Sequence, residues 1–129
     1  MVELEIRTSQ REQALDVTEQ VREAIARSGV KEGICFLYSP HTTCAVTVNE
    51  AYDPAVKADF VRHLHELVPQ ERAFQHAEGN SDAHIKAMLV GPSVQVPVSQ
   101  GSLRLGRWQG VFMCEFDGPR DRQLWIEVR

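Results

Sequence analysis

Two apolar runs, Gly33-Ile34-Cys35-Phe36-Leu37-Tyr38 and Cys44-Ala45-Val46-Thr47-Val48-Asn49, stand close together in the chain. Both are strand-length and rich in β-branched or aromatic residues, so strands fit them better than helices. The first reads as a strand buried on both faces, and the second as its neighbour. The link between them, Ser39-Pro40-His41-Thr42-Thr43, is turn-like and very polar for a connection between core strands. Loops at strand ends are where functional side chains collect.

The remaining segments repeat this grammar. Val2-Glu3-Leu4-Glu5-Ile6-Arg7 alternates apolar and polar as a half-buried strand does. Val17, Val21 and Ile25 fall at helical spacing between Asp16 and Gly29, with a charged face of Glu19, Arg22 and Glu23 turned to solvent. Asp53-Pro54 is an N-cap followed by proline at the first helical position, and the helix it opens is expected to bury Val56, Phe60, Leu64 and Leu67. Val94–Val98 reads as a strand limited by Pro97, Arg107–Phe116 as a long strand and Arg122–Val128 as a final one. Asp117-Gly118-Pro119-Arg120 is a tight turn that makes the last two strands a hairpin. Strands dominate, helices are few and connections are short. The expected fold is therefore α+β, a mainly antiparallel sheet with a few helices packed on it, in a single domain spanning 1–129.

Function classes narrow on charge and on apolar run length. A net charge of -4 argues against a sequence-independent nucleic-acid binder, which needs a basic face. No apolar run approaches membrane-spanning length and the N-terminus lacks a signal pattern, so no membrane partner and a cytoplasmic location are expected. Cys35, Cys44 and Cys114 form no CxxC pair and sit among apolar neighbours, as free cysteines of a reducing compartment do. A catalytic thiol at Cys44, close after His41, is the alternative.

The densest chemistry lies in His76-Ala77-Glu78-Gly79-Asn80-Ser81-Asp82-Ala83-His84, which runs into the apolar Ile85–Val90. Asn80 or Ser81 reads as a helix N-cap, Asp82 suits the first turn, and Gly91-Pro92 marks the stop. His84 then lies in the first turns of a short helix, with His76 on the loop that feeds it. The helix start also offers backbone N–H groups to an anion. With His41 on a loop that can reach the same sheet end, three imidazoles could converge on one divalent metal ion, leaving a position open for water or substrate. Glu50 and Glu115 are the carboxylate candidates, Glu115 being tolerable in a core only if paired. Arg120 and Arg122 could clamp a phosphate bidentately. His63 and His65 flank an apolar stripe and read as surface residues.

The runs Pro40-His41-Thr42-Thr43 with Asn49-Glu50, His76 with Gly79–His84, Gly101 with Leu105–Gln109, and Glu115 with Asp117–Arg122 resemble the YjbQ-like family, also called the secondary thiamine-phosphate synthase family. The likeness keeps the order of four blocks along nearly the whole chain. It implies an α+β fold of YjbQ type, a homotrimer, a polar site with a bound metal ion and weak thiamine-phosphate synthase activity in some members. Carried onto this chain, the resemblance makes His41, His76 and His84 metal ligands or proton carriers, Asn80 and Ser81 polar site residues, Glu50 and Glu115 carboxylate partners, and Arg120 and Arg122 anion-binding groups. Two positions depart from the family pattern: Cys44 stands where alanine is usual, and Arg107 where a small polar residue is usual.

The expected ligand is a small phosphorylated molecule, and three activities follow from these residues. The first joins a pyrimidine methyl diphosphate to a thiazole phosphate with release of diphosphate, a reaction served by arginines that stabilise the leaving group. Magnesium would suit the diphosphate, whereas a three-histidine site suits a zinc-like ion. The second is metal-dependent hydrolysis or lysis of a phosphorylated metabolite, with Glu50 or Glu115 as general base. The third is a trimeric binding protein for a metal or metabolite, without turnover.

Overall fold

In the computed structural model, which describes residues 1–71 and 73–129, the strands divide between two antiparallel sheets. Strands β1 (Val2–Arg7), β3 (Gly33–Tyr38), β5 (Ser93–Ser99), β6 (Ser102–Leu103) and β8 (Asp121–Val128) form a five-stranded sheet in the order β1-β8-β3-β5-β6. Strands β2 (Gln13–Asp16), β4 (Cys44–Glu50) and β7 (Gln109–Glu115) form a three-stranded sheet in the order β2-β7-β4. Alternation explains how they stack. Cys35, Leu37, Leu124 and Ile126 of the larger sheet meet Cys44, Val46, Val111 and Met113 of the smaller one in a single apolar core. Helix α1 (Thr18–Ser28) and its N-cap residue Val17 add Val17, Val21 and Ile25 to that core, and the helix stops at Gly29, whose φ of 72° is the left-handed C-cap conformation.

The other face of the smaller sheet carries Ala45, Phe112 and Cys114 and is covered by helices α2 (Pro54–Leu67) and α3 (Ser81–Val90). The result is three layers, sheet on sheet on helices, and the expected α+β class with mainly antiparallel strands holds.

Several local expectations give way. β3 and β4 are not neighbours, because the polar Ser39–Thr43 link carries the chain from one sheet to the other. Nor is β3 buried on both faces. Ile34, Phe36 and Tyr38 point outward, and Phe36, Tyr38 and Trp125 stack in a row with ring centroids 6.2 and 5.9 Å apart. β7 and β8 likewise belong to different sheets, so Phe116–Arg120 is a crossing between layers and not a hairpin turn. β2 is not legible in the sequence as a strand; it is four residues long and takes its register from β7. Helix α2 begins at Asp53 as expected, with Asp53 Oδ1 accepting from Ala55 N–H at 2.9 Å, yet none of its residues is buried. Phe60 and Leu64 lean on the sheet while Leu67 is 60% exposed.

The two interlayer crossings, Ser39–Thr43 and Phe116–Arg120, end side by side. Phe116 N–H donates to Thr43 O at 3.1 Å, and the start of α3 joins them through a bond from Asn80 Nδ2 to Asp117 Oδ2 at 2.8 Å. Polar loops from three elements are thereby gathered at one end of the sandwich.

Candidate functional site

At the centre of this gathering is a carboxylate with no solvent exposure. Glu115, the last residue of β7, faces Arg122, the second residue of β8, across the seam between the sheets. Arg122 Nε donates to Glu115 Oε1 at 2.8 Å and its Nη2 bonds Glu115 Oε2, a bidentate pair. Thr8 Oγ1 donates to Oε1 at 2.8 Å, and the N–H groups of Phe116 and Asp117 donate to Oε2 at 3.0 and 3.1 Å. Five donors therefore occupy Glu115, which leaves it poorly suited to take a proton from a substrate. Its part in the site is to fix Arg122. Burial opposes the charge on Arg122, but the bonds and charge of Glu115 more than offset this and raise its pKa. Arg122 Nη2 also donates to Thr43 Oγ1 at 2.8 Å, while Nη1 has no protein acceptor among the described residues.

Asp117 organises the next layer. Its side chain accepts from Asn80 Nδ2 and from Arg120 Nη2 at 3.0 Å, and its carbonyl from Arg120 Nε at 2.7 Å. The crossing is held close to the β1–β2 loop: Arg120 N–H donates to Thr8 Oγ1 at 2.8 Å, and Gly118 N–H to Arg11 O at 3.0 Å. At Gly118 a Cβ would come within 2.3 Å of Gln10 O, so only glycine allows the approach.

Asn80 does not do what an N-cap usually does. No side chain caps α3, because the Asn80 amide is turned to Asp117 instead. Its Oδ1 is screened from solvent and has no partner among the described residues. An unpaired buried carbonyl costs about 1–3 kcal/mol, and acceptors left in that state mark places where a ligand's N–H or O–H can be received.

His41 Nε2 accepts the backbone N–H of Gln123 at 2.8 Å, which places the proton of the neutral ring on Nδ1. Burial, and then the Arg122 cation, hold its pKa below the ordinary value of 6.5, with Glu115 pulling the other way. An unfolded chain takes up this proton before the folded one does, so stability present above pH 6.5 declines below it. The urea midpoint should fall between about pH 7.5 and pH 5.5, and His41→Gln, which keeps an acceptor for Gln123, should flatten that fall. An unchanged slope in the variant would assign the titration to another group.

His84, on the first turn of α3, and His76, on the loop before it, set their rings at right angles with centroids 5.4 Å apart. His76 Nε2 lies 3.6 Å from Glu78 Oε2. The structure brings His41, Asn80, His84, Arg120 and Arg122 onto one basin of about 340 Å³, with Pro40, Thr42, Thr43, Glu78 and Asp117 completing its wall. His76 lines the adjoining hollow on the far side of the loop, and Ser81 begins the helix with its side chain half-buried.

Glu50 is not part of this gathering. It ends β4, six residues beyond Cys44, about 20 Å of extended chain away from the basin. There it shares a separate hollow with Tyr52, Asp53 and Trp108.

Nor does the three-histidine metal site assemble within one chain. Among the described residues no three His, Cys, Asp or Glu side chains lie close enough to share an ion, and the Nε2 of His41 is engaged by Gln123. The pair His76 and His84 alone supplies two of the four ligands a zinc-like ion requires.

Cys44 is no nucleophile in this setting. Burial pushes its thiol up to about 12, Cys114 to about 12 and Cys35 to about 11. The native protein at about pH 8 should therefore leave a thiol-specific disulfide reagent unreacted, with three thiols appearing only on unfolding. Rapid reaction of one native thiol would restore the thiol alternative.

Sequence reading missed a second buried ionic cluster beneath the site. Lys86, with no solvent exposure, bonds Asp82 Oδ2 at 2.7 Å, and Arg11 holds both oxygens of Asp82 at 3.2 and 3.1 Å. The i,i+4 spacing of Asp82 and Lys86 inside an apolar run was the available signal.

A family model described as UPF0047 protein YjbQ-like matches residues 2–129. Among the relatives, the UPF0047 protein MJ1081 of Methanocaldococcus jannaschii is 47% identical over 124 residues, covering 96% of this chain and 90% of its own. The UPF0047 protein YugU of Bacillus subtilis is 43% identical over 126 residues, covering 97% and 96%. Of the solved structures, an uncharacterized conserved protein of the same family from Clostridium acetobutylicum aligns over 100% of both chains at 42% identity, with a TM-score of 0.97. The conserved hypothetical protein TT1486 from Thermus thermophilus aligns over 100% of both at 43% identity, with a TM-score of 0.93.

Proposed function

We propose, for a chain that belongs to the YjbQ-like UPF0047 family, that the Arg120–Arg122 basin binds a small phosphorylated molecule and supports a weak transfer of the thiamine-phosphate synthase type. In that reaction the thiazole nitrogen forms a bond to the pyrimidine methylene carbon as the bond from that carbon to diphosphate breaks, and the electron pair leaves with diphosphate. The chain works as a homotrimer in this reading. One observation carries it: a buried arginine, locked by Glu115, shares a basin with a second arginine and two histidines. Fixed cations of this kind stabilise the charge that develops on a leaving diphosphate. His41 and His84 stand where a proton can be exchanged with the departing oxygens. The unpartnered Asn80 Oδ1 favours a ligand that also carries an N–H or O–H donor.

The hydrolase or lyase reading has less support, because it needs a free base. Glu115 and Asp117 are both committed to donors, and Glu78 reaches toward His76. Thiamine phosphate formation by the purified protein, with magnesium and both substrates, is the test. Arg120→Ala and His84→Ala should each lower kcat/KM about 100-fold. No product from the parent, with diphosphate still bound by calorimetry, would leave a binding protein without turnover. Product formed equally well by both variants would remove the basin from the reaction.

The perpendicular pair of His76 and His84 favours a second reading, in which these two rings hold a zinc-like divalent ion whose other ligands come from the bound molecule. Elemental analysis of the protein purified without chelator decides it. Metal retained in His76→Ala and in His84→Ala would end that reading.

A further inference from the structure

The described chain separates two hollows whose chemistries are complementary. The basin presents Arg120 and Arg122 beside Asp117 and the exposed Glu78, and Asp117 and the Glu115 behind it are already engaged. The second hollow, of about 470 Å³ at the opposite end of β4, holds what the basin lacks. Glu50 has no side-chain partner there among the described residues, and Tyr52 and Trp108 present an edge-to-face ring pair with centroids 4.8 Å apart. Tyr52 is 74% exposed and Trp108 is 44% exposed. Asp53 adds a second negative charge, and the nearby cation, Arg107, is stacked on the Trp108 ring at 4.6 Å.

Between the hollows runs an apolar band that the described residues leave uncovered. Val56, Phe60, Leu64, Leu89 and Val90 line a groove of about 430 Å³ between α2, α3 and β4. Met88 and Leu89 are 81% and 60% exposed on α3, and no residue of the 14-residue α2 is buried. Helices of a globular fold bury an apolar stripe against something, and exposed apolar bands rimmed by charge are contact surfaces.

We infer that a second copy of this chain covers this band and brings its Glu50–Tyr52–Trp108 hollow onto the first copy's Arg120–Arg122 basin, so that each site is built from two chains. Charge complementarity selects the copy as occupant, since an acidic, aromatic end meets one that presents Arg120 and Arg122. The contact is head to tail: every chain offers one end and receives the other, and such contacts close into a ring when the rotation from copy to copy closes. Glu50 then adds to the site a carboxylate held by no side-chain partner among the described residues, and the two rings supply a stacking surface for a planar ligand. The inference rests on the basin being a ligand site, as proposed above.

The test uses the chain's two tryptophans as addressable reporters. One variant keeps Trp108 as its sole indole and has a disabled basin (Trp125→Phe, His84→Ala, Arg120→Ala). The other keeps the basin and has no indole (Trp108→Phe, Trp125→Phe). The two are mixed after mild urea dissociation and reassembled, and inorganic diphosphate is added. Trp108 emission should respond in the mixture and not in the first variant alone, and the response should be lost when Met88→Asp is added to both. A parent protein that sediments as a monomer overturns the inference. So does a mixture that binds diphosphate by calorimetry without any change at Trp108. If diphosphate does not bind at all, the ligand reading of the basin has failed, and acrylamide quenching of Trp108 in Trp125→Phe judges the contact alone. Shielding in the assembly that Met88→Asp abolishes supports the contact, and equal quenching in both overturns it.

Discussion

Glu115→Ala should cost about 3–5 kcal/mol of stability, measured as a shift in the urea unfolding midpoint at constant m-value. The loss has identifiable parts. The guanidinium of Arg122, in a side chain only 5% exposed, would keep its charge without its bidentate partner. Thr8 Oγ1 and the N–H groups of Phe116 and Asp117 would lose their acceptor at the same time. Removing one member of a buried pair is far worse than removing both, so Glu115→Ala with Arg122→Met should recover a good part of the loss. The recovered protein should then fail to bind diphosphate. A Glu115→Ala cost of less than about 1 kcal/mol, the usual worth of an exposed pair, would show that water reaches the seam in solution.

Asp82→Ala should have an effect of similar size by a different route. Lys86 has no solvent exposure and would keep only Glu12 Oε1, at 3.4 Å. Arg11 would lose its bidentate acceptor and, with it, the tie between the β1–β2 loop and α3. About 3–5 kcal/mol is expected for the single variant, and markedly less for Asp82→Ala combined with Lys86→Met, because methionine fills the same space without a charge. A double-mutant cycle in urea reads the coupling directly. Additive losses would mean that Asp82 and Lys86 do not depend on each other.

These two clusters show where the sequence was readable and where it was not. Hydrophobic pattern located β1, α1 and β8, and cap and stop residues located α3, nearly to the residue, because each satisfies a local rule with its own side chains. The pattern located β3 and β4 as well, but not their pairing, since runs of apolar residues do not say which sheet they join. The same limit hid the outward face of Phe36 and Tyr38, which alternation alone would assign to the core or to solvent equally well. Asn80 illustrates a third limit. As an N-cap it obeys a local preference, yet Asp117, distant in sequence, takes its amide for a longer-range purpose. His41, His84, Asn80, Arg120 and Arg122 were recognisable as polar residues beside turns, and the fold does bring them together. Glu115 was recognisable as a site carboxylate that would need a partner if buried, but its expected use as a general base gave no hint of the five donors that hold it. Thr8, Arg11 and Lys86 carried little signal of their own, because each draws its meaning from residues many positions away.

The placement of Glu115 and Arg122 on strands of different sheets also makes the ligand pocket a clasp. A ligand that grips Arg122 pulls on a residue whose counter-charge is anchored in the opposite layer, so binding would tighten the seam between layers as well as the pocket. Occupancy should thus be visible far from the basin, as slower amide exchange along both β7 and β8. By the same reasoning, this chain has little freedom to change the charge of its pocket: any substitution that retunes the clasp for a new ligand also loosens the join between the two sheets.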